Sequence, residues 1–264
     1  MPTLYRAKFN GLPIDNWHHF LRLRDLHQIL SDIPLEGVTR VLELGAGDGV
    51  QTDALRRQFP EVISIDISPS SELQGVIVAD ASNLPFIDGY FDLVFSSNVL
   101  EHVEQIDDSI VEMKRVLGAN GIMIHSMPSS IWKMVQIAFR PLATLKKIAY
   151  KIVRQQPNIV ERARPLDANQ LTVGTKSTKR SILSKILGQF IPSIHGVSSN
   201  HFEELIHFRT SWWLSKFSKH ELDCFRSSPL FLHSPYDILP YRFLKLRDRL
   251  SEMGLASVQV FWLR

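Results

Sequence analysis

Four features of this 264-residue chain carry residue types able to hold a ligand or move a proton. The first is the turn Glu43-Leu44-Gly45-Ala46-Gly47-Asp48-Gly49. Its glycines let the backbone bend sharply and bring N–H groups close to a ligand at a helix start. The second and third are Asp66 and Asp80, which close the apolar runs VISID and GVIVAD. An ionised carboxylate only accepts hydrogen bonds, so it suits hydroxyl and amine donors. The fourth is a pair of histidines, His102 and His125, at the ends of later apolar runs. Imidazole titrates near neutrality and is the natural candidate for removing a proton. A dinucleotide fingerprint requires G-x-G-x-x-G, but here the third glycine falls one residue early and Val50 stands in its place.

These residues need a frame. Trp17, Phe20, Leu21, Leu23, Leu26, Ile29 and Leu30 recur at helical spacing and predict an amphipathic helix from about Asn16 to Ile33. RVLEL, VISID, GVIVAD, YFDLVFSS and GIMIHSMP predict five strands, with helices at Gln51–Gln58 and Ile106–Leu117 between them. Strands alternating with helices imply βαβ units and a parallel sheet covered on both faces. In such sheets ligands bind beyond the carboxyl ends of the strands, where the glycine turn, Asp66, Asp80 and Asn98 all fall.

The block from Arg40 to Pro128 resembles the class I S-adenosylmethionine-dependent methyltransferases. It is most similar to the subgroup with D-A-x-x-L-P-F-x-D-x-x-F-D followed by L-E-H-V. Here these are Asp80, Ala81, Leu84, Pro85, Phe86, Asp88, Phe91 and Asp92, then Leu100, Glu101, His102 and Val103. The resemblance implies an α/β, doubly wound, Rossmann-like sheet of seven mostly parallel strands, with a helical insertion or lid. It also implies S-adenosyl-L-methionine as cofactor. Glu43 would organise the turn, while Gly45 and Gly47 would let the methionine part lie against the backbone. Asp66 would bind the ribose and Asp80 the adenine amino group, with Ala81 N–H nearby. Asn98 would lie near the methionine moiety, and Ala46 and Ile67 complete the expected cofactor set. His102 and His125 are the candidate general bases. Asp92, Asp107 and Asp108 read as structural, the last two at a helix amino terminus where negative charge is favoured.

The net charge of +3 hides an asymmetry. Nine basic residues face 18 acidic ones through Ser129 and 21 face nine beyond it, so a half of charge −9 precedes one of +12. Residues 131–154 place Lys133, Gln136, Arg140, Thr144, Lys147, Lys151 and Arg154 on one helical stripe opposite an apolar one, with Pro141 expected to kink or break the helix. Such a helix suits a lid packed by its apolar face or an anionic membrane surface. Residues 155–180 read as a polar loop. Nucleic acid is disfavoured as a partner, since aromatic residues are sparse in this basic stretch.

One helix is expected from Glu203 to Lys219, and HELDCFRSS and SVQVFWLR read as strands; the resemblance implies that they are the late pair that completes the sheet, one of them antiparallel to the rest. The expected organisation is thus a helical cap (1–36), a cofactor core (37–128), a basic insertion or lid (129–200) and a segment completing the sheet (201–264). His195, His201 and His207 lack metal-ligand spacing, and no metal is expected. One cysteine, no leader-like apolar run at the start and no long uncharged apolar stretch suggest a cytoplasmic protein, peripheral at most to the inner face of the membrane. The resemblance implies methylation of oxygen on a glycan, lipid-linked or other anionic small-molecule acceptor. The alternatives are a lipid-quinone or small-molecule C- or O-methyltransferase, or a non-catalytic S-adenosylmethionine-binding protein with a docking surface.

Overall fold

The structure, a computed structural model, describes residues 8–9, 12–13, 17–69, 73–154, 189–232 and 243–264. The expected polar loop at 155–180 lies outside the described residues. The chain divides into two compact units. The larger comprises Met1–Lys133, Ile194–His233 and Tyr241–Arg264; the smaller comprises Met134–Ser193 and Ser234–Pro240.

The larger unit is built on a seven-stranded sheet. Its strands are β1 (Arg40–Leu44), β2 (Glu61–Asp66), β3 (Val76–Val78), β4 (Phe91–Ser97), β5 (Leu117–Pro128), β6 (Cys224–Leu230) and β7 (Val258–Leu263). They lie in the order β3-β2-β1-β4-β5-β7-β6. β1 to β5 pair in parallel, and β7 runs antiparallel between β5 and β6. The late pair therefore completes the sheet in the arrangement that the resemblance implies. The order reverses at β1, so β1 and β4 diverge into opposite halves of the sheet and leave a crevice beyond their carboxyl ends.

Both faces are apolar because successive strand residues point to opposite sides. Leu42, Val94, Met123 and Phe261 pack on one face with Ile110, Met113 and Val116 of α3 (Ile106–Val116) and with Trp213 and Phe217 of a later helix. Val41, Leu93, Ile124 and Trp262 pack on the other, with Leu26, Ile29 and Leu30 of α1 (Trp17–Ser31) and Leu55 of α2 (Val50–Gln58). Asp92 stitches the base of the sheet: its Oδ2 accepts from the Thr39 N–H (3.0 Å), the Thr39 hydroxyl (2.7 Å) and the Arg40 N–H (2.9 Å).

Two helical expectations change. α4 runs unbroken from Ser130 to Arg154 through Pro141. A proline removes one backbone donor, and in a helix this long the remaining ladder carries the turn across it. Conversely, the helical pattern from Glu203 to Lys219 forms two helices, α5 (His201–His207) and α6 (Thr210–Lys219). Arg209 between them is extended (φ −75°, ψ 137°). The Asn200 side chain starts α5 by accepting from the N–H groups of Phe202 and Glu203. α7 (Leu244–Glu252) precedes β7.

The L-P-F-x-D segment is clasped by α3. Arg115 donates to the carbonyls of Phe86 (2.7 Å) and Leu84 (3.0 Å), to Asp88 (2.7 Å) and to both oxygens of Glu112 (2.8 Å each). Glu112 in turn accepts from the Leu84 N–H (2.8 Å). One guanidinium thus fixes the loop that leaves Asp80. Arg115→Ala should lower the unfolding free energy by about 2 kcal/mol in a urea titration, with Arg115→Lys restoring only part, because an ammonium cannot fork between the same acceptors. An Arg115→Ala protein with the wild-type midpoint would contradict the clasp.

Candidate functional site

The glycine turn begins above a buried carboxylate. Glu43, 2% exposed, accepts at Oε2 from the hydroxyls of Thr52 on α2 (2.6 Å) and Ser64 on β2 (2.7 Å). Burial raises its pKa above the ordinary carboxylate value, against those two hydrogen bonds. The N–H groups of Gly45 and Ala46 then donate to the Ile65 carbonyl (2.8 and 3.1 Å). Gly45 has φ 77°, and a Cβ there would come within 2.4 Å of Val99 Cγ2. Only glycine fits that backbone, and it lets the turn lie close to the residues after β4.

Asp66 faces this turn. Its Oδ2 accepts from the Gly47 N–H (3.0 Å) and its Oδ1 from the Ser68 N–H (2.8 Å), which leaves further lone pairs on both oxygens. Asp80 accepts at Oδ1 from the Ser82 N–H (2.8 Å) and hydroxyl (2.9 Å). Asn98 sits in the left-handed region at φ 54°, with its N–H donating to the Ser126 carbonyl (2.8 Å). A left-handed asparagine at the end of a central strand is local strain of the kind found at ligand sites.

These residues line one cavity of about 580 Å³, within the range of small-molecule sites. Gly45, Ala46, Gly47, Asp66, Ile67, Asp80, Ala81, Asn98 and His102 all border it, while Glu43 lies beneath the turn. Burial holds the His102 imidazole below its ordinary pKa. Arg22 of α1 and Gln51 of α2 also line the cavity, and sequence reasoning missed both. Arg22 donates to Asp48 within the turn (2.8 Å), a contact across the fold with no local signal.

His125 is a correction. It is fully buried in β5, stacks near Phe217 (6.2 Å between ring centres) and shares a hydrogen bond between Nδ1 and the Ser96 hydroxyl (2.8 Å). It does not border the cavity and cannot reach an acceptor there. His201 and His207 also lie elsewhere, His201 beside Glu204 (3.5 Å) and His207 beside the Ser198 hydroxyl (3.1 Å).

Residues 42–125 match the family of methyltransferase domains. The match spans β1 to β5 and every cavity-lining turn described above except the contribution of α1. Among curated proteins, the chain is 31% identical over 119 residues to malonyl-[acyl-carrier protein] O-methyltransferase of Geobacter sulfurreducens, covering 39% of this chain and 45% of that protein. It is 31% identical over 162 residues to ubiquinone biosynthesis O-methyltransferase of Bradyrhizobium diazoefficiens, covering 50% of this chain and 64% of the relative. The chain spans less than two thirds of the length of these relatives. A solved S-adenosylmethionine-dependent methyltransferase of Mesorhizobium loti shares the fold at a TM-score of 0.51 and 16% identity, covering 92% of this chain and 97% of that one.

The resemblance implies S-adenosylmethionine as the cofactor, and the lining residues can be tested against it. The site fits it chemically. Acceptor carboxylates stand at two strand ends for ribose and adenine donors, and the turn has no Cβ where an amino-acid chain would pass. Ile67, 71% exposed, offers an apolar surface beside Asp66.

Burial alone pushes the His125 pKa down to about 3. Unfolding below the ordinary value of about 6.5 therefore takes up a proton. The stability this group contributes is present above pH ~6.5 and is lost as pH falls toward 3. Between pH 6 and 4 the wild type should lose up to about 1.4 kcal/mol per pH unit more than His125→Gln. Parallel stability curves for the two proteins would show that His125 is not held neutral.

Proposed function

We propose that this chain is an S-adenosylmethionine-dependent O-methyltransferase acting on a lipid-linked, anionic small-molecule acceptor. The observation that carries the reading is the convergence of the glycine turn, Asp66, Asp80 and Asn98 on one cavity of a domain that matches methyltransferases. When bound, the sulfonium supplies an activated methyl carbon together with its own leaving group. What remains for the chain is binding and orientation. Asp66 accepts from the ribose hydroxyls. Asp80 accepts from the adenine amino group beside the Ala81 N–H, and Ile67 covers an adenine face. The Gly45–Gly47 backbone holds the methionine chain, and Asn98 stands on the acceptor side.

Oxygen as the methyl acceptor is supported by the relatives, whose names are those of O-methyltransferases. A lipid-linked acceptor is supported by α4, whose sides are not arranged as its sequence suggested. Lys133, Gln136 and Thr144 are buried, while Met134, Leu142 (54% exposed), Leu145 (53%) and Ile148 face outward. Lys146 and Lys147 are exposed beside them. An outward apolar stripe flanked by lysines suits the interface of an anionic bilayer. No helix among the described residues is long and apolar enough to cross a membrane. A lipid-linked glycan phosphate and a quinone precursor both answer this description.

Asp66→Ala and Asp80→Ala should each weaken S-adenosylmethionine binding at least about tenfold by calorimetry, through loss of charge-assisted hydrogen bonds. Unchanged affinity in both would remove the site assignment. Release of S-adenosylhomocysteine with lipid-linked glycans or quinone precursors is expected in a radiolabel assay. Cofactor binding without turnover on any acceptor would instead favour a non-catalytic binding protein. The protein should also pellet with phosphatidylglycerol vesicles at low salt, and the double variant Leu142→Glu, Leu145→Glu should stay in the supernatant. No pelleting of the wild type would leave the acceptor without a membrane route, and equal pelleting of both proteins would take that route away from α4.

A further inference from the structure

Glu101 and His102 belong to the short 3-10 turn Leu100–His102 that follows β4. The Glu101 side chain is 1% exposed, and among the described residues neither of its carboxylate oxygens has a hydrogen-bond partner. A buried carboxylate left in that state is strongly disfavoured unless a positive charge meets it. Two imidazole nitrogens converge on its Oε1, His195 Nε2 at 3.6 Å and His102 Nε2 at 3.9 Å. The donor atoms of all three residues lie within 4.8 Å of one another.

We propose that Glu101, His102 and His195 bind one divalent transition-metal ion beside the cofactor cavity. Two imidazoles and a carboxylate form a donor set that suits zinc and its neighbours and leaves coordination positions open. An ion centred among atoms at these separations lies about 2.4 Å from each, so a contraction of a few tenths of an ångström gives ordinary metal–ligand lengths. The His102 side chain is 48% exposed and borders the cavity, so the open side of the ion faces water and an arriving oxygen ligand. His102 thus becomes a ligand rather than a base.

The supporting residues are built to hold this geometry. The Val197 N–H donates to the Glu101 carbonyl (3.1 Å), tying the two ligand-bearing segments together. Gly196 between them has φ 76°, and a Cβ there would come within 2.3 Å of that same carbonyl. The His195 N–H donates to Glu204 Oε1 (3.1 Å), and Glu204 is paired with Lys133 (2.6 Å) with both side chains fully buried. The Trp132 ring packs at 5.1 Å from the His195 ring. Such fixed neighbours orient metal ligands and tune their affinity. The sequence reading rejected a metal because it sought ligands among His195, His201 and His207; only His195 joins the cluster, and its partners come from the strand-β4 turn.

The site rests on these side chains alone, and its test needs no turnover. The full chain, stripped with a chelator, is titrated with Zn²⁺ by calorimetry and with Co²⁺ by visible absorption. One ion per chain is expected, with His195→Ala and Glu101→Gln each weakening Zn²⁺ at least about tenfold. His18→Ala, at an exposed position, should bind as the wild type does. S-adenosylhomocysteine binding by His195→Ala, measured in the same samples, reports that the cofactor domain is intact. Absence of stoichiometric Zn²⁺ and Co²⁺ binding, or Zn²⁺ affinity unchanged in His195→Ala, overturns the proposal. A proton shared between the two histidines and Glu101 would give that result.

Discussion

A buried carboxylate sets the geometry of this molecule. Glu43 stands near the end of β1 and accepts at one oxygen from hydroxyls of α2 and of β2. Those two bonds hold strand, helix and neighbouring strand at fixed separation directly under the glycine turn. The turn can then donate its N–H groups to Ile65 and approach Val99 so closely that no side chain fits at Gly45. Removing either hydroxyl would leave the buried charge under-compensated, which costs more than an ordinary surface hydrogen bond. The cavity, the placement of Asp66 against Gly47 and the left-handed Asn98 all follow from this junction.

The parts that were legible in sequence are those written locally. Asp66 and Asp80 end apolar runs, and a strand-end carboxylate is in the same place in the fold as in the pattern. Glycines at Gly45 and Gly47 announce positive φ, and both have it. The parallel part of the sheet could likewise be read from alternation, whereas its count of seven and its one antiparallel member came from the family resemblance. By contrast, Arg115 reaches the loop 84–88 from α3, and Arg22 reaches Asp48 from α1. These are contacts between elements whose relative placement no spacing rule provides.

The misreadings have physical causes too. Every residue from Gly121 to Pro128 is buried, so β5 shows no alternation that could say whether His125 faces a site or the core. The stripe of α4 was correctly periodic but its direction was not, because Lys133 finds a buried acidic partner in Glu204. A cation compensated in that way can occupy the inner side, and apolar residues further along then face outward. The charge asymmetry between the halves has a comparable structure-level reason. Acidic residues of the first half serve as turn and strand-end acceptors, whereas the basic residues of α4 include one buried pair and an exposed lysine flank.

What occupies the cavity above Glu43 decides the function of this chain. A crystal structure of the chain grown with S-adenosylhomocysteine would test this most directly. The ribose hydroxyls should donate to Asp66, the adenine amino group to Asp80, and the amino-acid portion should lie along Gly45–Gly47. Density for the ligand elsewhere, or a cavity that binds it with Asp66 and Asp80 turned away, would contradict the account.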